Sequence, residues 1–230
     1  MPLSMPSRIP PKTVSPIFLV LSTFYVTCLL LSNLIASKVI LLAGLTLDAA
    51  VILFPLTYIL GDVFTEIYGF RRTKLTIWLG FSCNFLAALV YLAAVYLPYP
   101  DYWPNQEAFA TVLGITPRIF IASLVGYLFG EFSNSIVLSK LKVATNGKKL
   151  WLRTILSTIV GEALDTVLFV LISFSGVLPK GGLLSMILCQ YVFKVGYEVL
   201  FTPFTYWCIA KVKKLEGLDV YDHHESYRVL

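Results

Sequence analysis

Six runs of roughly twenty apolar residues divide this chain, at Ile17 to Ala36, Ala49 to Tyr68, Leu75 to Leu97, Ile119 to Ser139, Leu152 to Ser175 and Leu183 to Ala210, each about the length a helix needs to cross a bilayer. One water-soluble domain of 230 residues cannot hide them all, because the chain is 57% hydrophobic and only 13% charged, against about a quarter charged in soluble domains. The solvent of the runs is therefore lipid. Lipid leaves backbone groups no outside partner, and no run shows the strict alternation of a barrel strand, so each run is expected to be a helix. The expected fold is all-α: a polytopic membrane protein with a lead-in at residues 1–16, a six-helix transmembrane domain at 17–210 and a tail at 211–230.

This composition excludes a secreted enzyme, a nucleic-acid module and a disordered scaffold. The net charge of +5 comes from residues scattered between apolar runs, whereas a nucleic-acid partner requires one basic face. Cys28, Cys83, Cys189 and Cys208 lie inside apolar stretches without C-x-x-C spacing, which is the usage of small buried hydrophobes; no disulfide and no metal site is read. The histidines, His223 and His224, fall in the polar tail, where they are expected to be solvated. An intramembrane Ser-His hydrolase or a His-ligated zinc enzyme thus has no base or ligand. No phosphate-binding loop for ATP is present, and no cofactor is expected.

Positive residues set the orientation, because they are retained on the cytoplasmic side. Arg8 and Lys12 of the lead-in, Arg71, Arg72 and Lys74 after the second run, Lys140, Lys142, Lys148, Lys149 and Arg153 around the fourth connection, and Lys211, Lys213, Lys214 and Arg228 of the tail all fall on one side. The other connections hold only Lys38, Arg118 and Lys180. Both termini are expected inside, and the aromatic three-four connection with Tyr99, Tyr102 and Trp103 outside, as a surface loop or a lid.

Within the runs stand Asp62, Glu66, Glu131, Glu162, Asp165, Lys194 and Glu198. Each charge at the centre of a membrane helix costs about 2.5–3.5 kcal/mol on insertion scales, so these residues must face one another, a watery cavity or a ligand. Asp62/Glu66 and Lys194/Glu198 are i,i+4 pairs and Glu162/Asp165 is an i,i+3 pair, which puts each pair on one helix face. Six carboxylates share one cation, a surplus that suits a cationic or donor-rich solute, with Asn33, Asn84, Asn134 and Gln190 as further partners. Glu66, near the end of its run, is expected to pair with Arg71 or Arg72.

An internal repeat concentrates the same residues. Gly130-Glu131-Phe132-Ser133-Asn134-Ser135 on the fourth run matches Gly161-Glu162-Ala163-Leu164-Asp165-Thr166 on the fifth. Successive spans run in opposite directions, so the copies should meet inverted near mid-membrane, as repeats do in many transporters. Pro55 and Gly61 before Asp62, and Gly196 and Pro203 around Glu198, mark the second and sixth runs as the ones most easily kinked.

These motifs carry a resemblance. Leu31-Ser32-Asn33-Leu34-Ile35-Ala36-Ser37-Lys38, Tyr58-Ile59-Leu60-Gly61-Asp62-Val63-Phe64-Thr65-Glu66-Ile67-Tyr68-Gly69, the two repeat copies, Leu150-Trp151-Leu152-Arg153-Thr154, and Gln190-Tyr191-Val192-Phe193-Lys194 with Glu198 and Thr202-Pro203 resemble the queuosine precursor transporter family over nearly the whole chain. The resemblance implies a six-helix importer in the bacterial inner membrane for 7-deazaguanines such as 7-cyano-7-deazaguanine, 7-aminomethyl-7-deazaguanine or queuine. It implies no catalytic activity. The family is also similar in helix number to the substrate-binding subunits of energy-coupling-factor vitamin transporters, which leaves a binding subunit with a partner ATPase as the alternative; a homodimer is left open.

The residues suit such a ligand. A guanine edge presents adjacent ring N–H and amino donors that one carboxylate accepts together, and a side-chain amine would engage a second acid. Glu131, Asn134, Glu162 and Asp165 are the expected recognition core, with Asp62, Lys194, Glu198, Gln190 and Asn33 completing the cavity. Phe64, Tyr68, Tyr127, Phe132, Tyr191 and Phe193 are the candidates to stack on the heterocycle.

Overall fold

The computed structural model describes residues 14–36, 38–42, 45–114, 117–176, 178–223 and 225–229; the lead-in with Arg8 and Lys12, and His224, lie outside them. Among the described residues seven α-helices follow one another: α1 (Pro16–Ile35), α2 (Phe54–Val63), α3 (Phe70–Tyr96), α4 (Gln106–Leu113), α5 (Pro117–Ala144), α6 (Leu150–Phe174) and α7 (Lys180–Glu216). Helices α1, α3, α6 and α7, and the stretch that contains α5, are long and apolar enough to cross a membrane. At 1.5 Å per residue the 27 residues of α3 reach about 40 Å, beyond the roughly 30 Å of a hydrocarbon core.

Polarity is distributed as in a membrane protein. Leu200, Val20 and Val192 are 72%, 66% and 65% exposed, whereas Asp62, Glu66, Arg153, Glu198 and a row of serines and threonines are buried. In water this would leave the surface apolar and the interior polar; in lipid both are in their proper solvent.

The described residues are predominantly helical, as the all-α class expects, and carry one short antiparallel hairpin, β1 (Val39–Leu42) with β2 (Leu45–Asp48), in which Val39 pairs with Asp48 and Leu42 with Leu45. One expectation is corrected: the second apolar run is not one uniform span. It divides into a 3-10 turn at Ala49–Ile52, the ten-residue α2 and a π-helical turn at Phe64–Tyr68. Helix α2 alone would cover only about 15 Å. Pro55 stands at the start of α2, where its missing N–H and fixed φ are harmless, so it begins the helix rather than kinking it. The broken segment is tolerated because protein surrounds it. Every residue from Ile59 to Phe70 is buried, and Ile59, Val63, Phe64, Ile67 and Tyr68 pack with Phe18 and Tyr25 of α1 and Ile209 of α7.

Local chemistry fixes the helix ends. Ser15 caps α1 by accepting the Phe18 N–H at 3.0 Å, and its hydroxyl also donates to Glu216 at 2.7 Å, tying the start of α1 to the end of α7. Gly69, at φ 78°, turns the chain into α3 with no side-chain cap of its own. Asp222 of the tail supplies one, accepting the Phe70 N–H at 2.9 Å. Gly217, at φ 62°, closes α7 in the left-handed conformation.

The described tail residues, 217–223 and 225–229, fold back over one end of the bundle: Val220 N–H donates to Ile67 O at 3.1 Å, Trp78 Nε1 to Val229 O at 3.0 Å, and Ser139 lies 2.5 Å from Asp222 and 3.0 Å from the Tyr227 hydroxyl. His223, expected free in water, is exposed but stacks on Tyr221 with ring centroids 5.8 Å apart. The three-four connection carries the eight-residue α4 on the surface, with Tyr102 87% exposed.

Candidate functional site

Helices α5 and α6 are drawn together by glycine. A Cβ on Gly130 would come 2.8 Å from the Asp165 Cβ and 3.1 Å from Gly161 O, and one on Gly161 would come 2.8 Å from the Asn134 Cβ and 2.9 Å from Gly130 O. Each glycine of the repeat thus faces the Asn or Asp of the other copy, an inverted pairing in which only hydrogen fits at the crossing. The close approach sets Glu131, Asn134, Glu162 and Asp165 side by side.

These four residues line a cavity of about 230 Å³, together with Asn33 of α1, Tyr58 of α2, Asn84 of α3, Tyr127 of α5, Phe169 of α6, and Gln190, Phe193 and Lys194 of α7. The volume is below the roughly 300–1,000 Å³ of drug-sized sites and suits a single small solute. Lys194 reaches Glu162 Oε2 at 2.9 Å and Asp165 Oδ2 at 2.5 Å, so the one lysine bridges two acids in the wall. Among the described residues no cationic side chain makes an ion pair with Glu131. Its carboxylate lies beside the Tyr25 hydroxyl, which is 3.2 Å from that of Tyr127. Gly61 leaves room for it, since a Cβ there would be 3.3 Å from Glu131 Oε2. Asn33 Nδ2 donates to Asn84 Oδ1 at 2.5 Å, which orients an amide pair at the edge of the cavity.

The remaining predicted residues lie elsewhere. Asp62 and Glu198, each 1% exposed, are behind the cavity wall rather than in it. Asn134 joins the two layers, because it lines the cavity while its Nδ2 donates to Asp62 Oδ1 at 3.1 Å. Glu66 does not pair with Arg71 or Arg72. Arg153 grips it with two bonds, Nε to Oε2 at 2.9 Å and Nη2 to Oε1 at 2.6 Å, and Lys213 reaches Oε1 at 2.8 Å. Lys142 Nζ lies 3.7 Å from the same oxygen and donates to Glu66 O, to Val220 O at 2.7 Å and to Asp219 at 2.5 Å. Arg72 instead lies over the rings of Phe18 and Tyr68. The correction has a geometric reason: Glu66 points into the bundle, whereas Arg71 is exposed on the next helix.

Sequence reasoning missed these cations because Lys142, Arg153 and Lys213 read as connection residues, although they sit within the ends of α5, α6 and α7. It also misplaced most of the aromatics. Phe64 and Tyr68 pack in the interior with Phe18, Phe132 packs with Phe70, and Tyr191 donates to Ile159 O at 3.3 Å. Tyr127 and Phe193 do line the cavity, with Tyr58 and Phe169. Tyr58 could have been found, since it precedes Asp62 by one helical turn and so shares its face.

Outside the spans, Asp219 lies between Lys142 and Lys213, with Lys213 at 2.9 Å. Burial raises its carboxyl, but hydrogen bonds and charge from the two lysines outweigh that and hold it below the ordinary carboxylate range.

Residues 48–208 match the family described as "Putative vitamin uptake transporter". The chain is 27% identical over 176 residues to the "Probable queuosine precursor transporter" of Bacillus subtilis (strain 168), covering 76% of this chain and 77% of that protein. It is 24% identical over 184 residues to the "Queuosine precursor transporter" of Escherichia coli (strain K12), covering 79% and 80%. No solved structure matches. A family match across most of the chain, on a polytopic helical bundle whose polar repeat meets at a cavity, identifies the chain as a member of the putative vitamin uptake transporter family.

Proposed function

We propose that this chain imports 7-deazaguanine precursors of queuosine, such as 7-cyano-7-deazaguanine, 7-aminomethyl-7-deazaguanine or queuine, across the bacterial inner membrane by secondary transport. The observation that carries this reading is the cavity in which the two repeat copies converge with one acid, Glu131, left without a cation among the described residues. That carboxylate accepts the adjacent N–H and amino donors of the guanine edge, a paired charge-assisted contact. Lys194, Glu162, Asp165, Gln190 and Asn33 supply donors and acceptors for the rest of the base, and Tyr58, Tyr127, Phe169 and Phe193 supply faces for stacking.

Along α2, α5 and α7 the chain passes the cavity first and the Glu66 network last, so the cavity lies in the half of the bundle away from the basic end. With the basic end in the cytoplasm, six crossings result, the broken second segment among them. The Glu66 network and the tail then form the closed inner gate of an outward-facing carrier.

Uptake of labelled 7-cyano-7-deazaguanine into vesicles containing the purified chain alone tests the reading. Time-dependent uptake that saturates, and that is lost in Glu131→Ala with folded protein retained, supports it. Uptake only after an ATPase partner is added would instead favour a binding subunit of the energy-coupling-factor type.

A further inference from the structure

We propose that Asp62 and Glu198 form a proton-binding site, set between the cavity and the Glu66 network, which couples substrate movement to a proton gradient. The inference rests on the transport reading above and assigns its driving ion.

Of the other acids within the spans, Glu66 has Arg153 and Lys213, Glu162 and Asp165 share Lys194, and Glu131, without a cation among the described residues, lines the cavity beside the Tyr25 hydroxyl. Asp62 and Glu198, each 1% exposed, make no ion pair among the described residues. Among the described residues Asp62 Oδ2 and Glu198 Oε1 are buried without a hydrogen-bond partner, and so is the Oδ1 of Asn134, the residue that holds Asp62 by its other end. Three acceptor atoms are thus enclosed with no donor to satisfy them, and a carboxyl proton is the missing donor. A metal ion fits less well: neither acid borders the cavity, and no group of three or more acid, histidine or cysteine side chains among the described residues is arranged to hold one.

The charged and titratable surroundings are acidic. Asp62 is acted on by Glu198 of α7, Glu131 of α5 and Glu66 of the π-turn, and Glu198 by Glu162 of α6. Tyr25 of α1 faces Glu131, Tyr58 of α2 faces Glu162, and Lys194, one turn before Glu198, is engaged by Glu162 and Asp165. A proton entering from the outer water forms an O–H bond at one of the two carboxylates, and that bond breaks to release the proton to water at the basic end; no electron moves. Substrate in the cavity acts on the pair through Asn134 and through Glu162, so the two ligands favour one another, and reciprocity requires the proton to tighten the substrate equally.

The test uses the full chain in lipid vesicles, with neutral 7-cyano-7-deazaguanine as probe and the membrane potential clamped. For one coupled proton, a gradient of one pH unit supports about tenfold accumulation. The wild type is expected to approach that value, whereas Asp62→Asn and Glu198→Gln bind the probe within about threefold of wild type and accumulate it about onefold. Variants that still respond to the gradient, or a wild type that accumulates probe without responding, would overturn the proposal while leaving transport intact. Infrared spectroscopy without substrate gives an independent reading. The protonated-carboxyl carbonyl band of the wild type should be diminished in each variant; an unchanged band would overturn the proposal even if the chain bound no deazaguanine at all.

Discussion

Glu66 shows what a single side chain can hold in this fold. Its carboxylate joins the π-turn to the ends of α5, α6 and α7 through Lys142, Arg153 and Lys213, and it is fully buried. Removing its charge leaves Arg153 buried without its bidentate partner, a change that costs about 3–5 kcal/mol in comparable sites. Glu66→Gln should therefore lower the thermal midpoint of the detergent-solubilised chain sharply, and much more than Arg71→Gln on the exposed face of α3. Equal midpoints would show that the network does not hold the basic end together. The sequence made the expense of Glu66 plain but not its partners. Bonds between positions 66, 142, 153 and 213 depend on where helix ends meet, and no local spacing encodes that.

Asp219 adds a pH dependence at the same scale. Its folded carboxyl lies below the ordinary range, so its contribution to docking the tail is full above the unfolded value and is lost as pH falls through the depressed folded one. Protection factors of the tail amides, taken against the intrinsic exchange rate at each pH, should stay high through the ordinary carboxylate range and fall only at lower pH, whereas Asp219→Asn should lower them at neutral pH. Protection that falls first as pH rises would contradict this sign.

At the scale of elements, the α5–α6 crossing is the most demanding contact. Gly161→Ala places a methyl carbon 2.8 Å from the Asn134 Cβ, and both near atoms are backbone or stem atoms that cannot swing away. Overpacking of this kind costs about 1–3 kcal/mol. Gly161→Ala should lower both stability and substrate affinity, while Gly181→Ala, with no atom within 4 Å of its Cβ, should leave both unchanged; equal effects at the two positions would contradict a glycine-dependent crossing. The repeat and the apolar runs were readable before any coordinates because each depends on residue type at a fixed spacing. The division of the second run was not, because burial on every side from Ile59 to Phe70 removes the periodicity that would separate a helix from a broken one. The docking of the tail was not readable for a different reason: Asp219, Asp222, Tyr221 and Tyr227 follow no periodic pattern, and what holds them lies about 150 residues or less away in the chain, at positions such as Phe70, Ser139 and Lys142.

At the scale of the whole molecule, the bundle is layered along its axis. The cavity occupies one half, the pair Asp62 and Glu198 lies behind it, the Glu66 network follows, and the folded tail covers the basic end. Lipid surrounds this polar axis with exposed leucine, valine and phenylalanine side chains. In the transport reading proposed above, this order would separate the charged residues by role, with recognition in the cavity, coupling behind it, and closure at the basic end. The central claim is that Glu131 and the Glu162–Lys194–Asp165 group receive the substrate together. Calorimetric titration of the purified chain with 7-cyano-7-deazaguanine, repeated on folded Glu131→Ala, tests it most directly. The account predicts saturable one-site binding by the wild type and a loss of about 1.5–3 kcal/mol, at least tenfold, in the variant; binding of equal strength in both would contradict it.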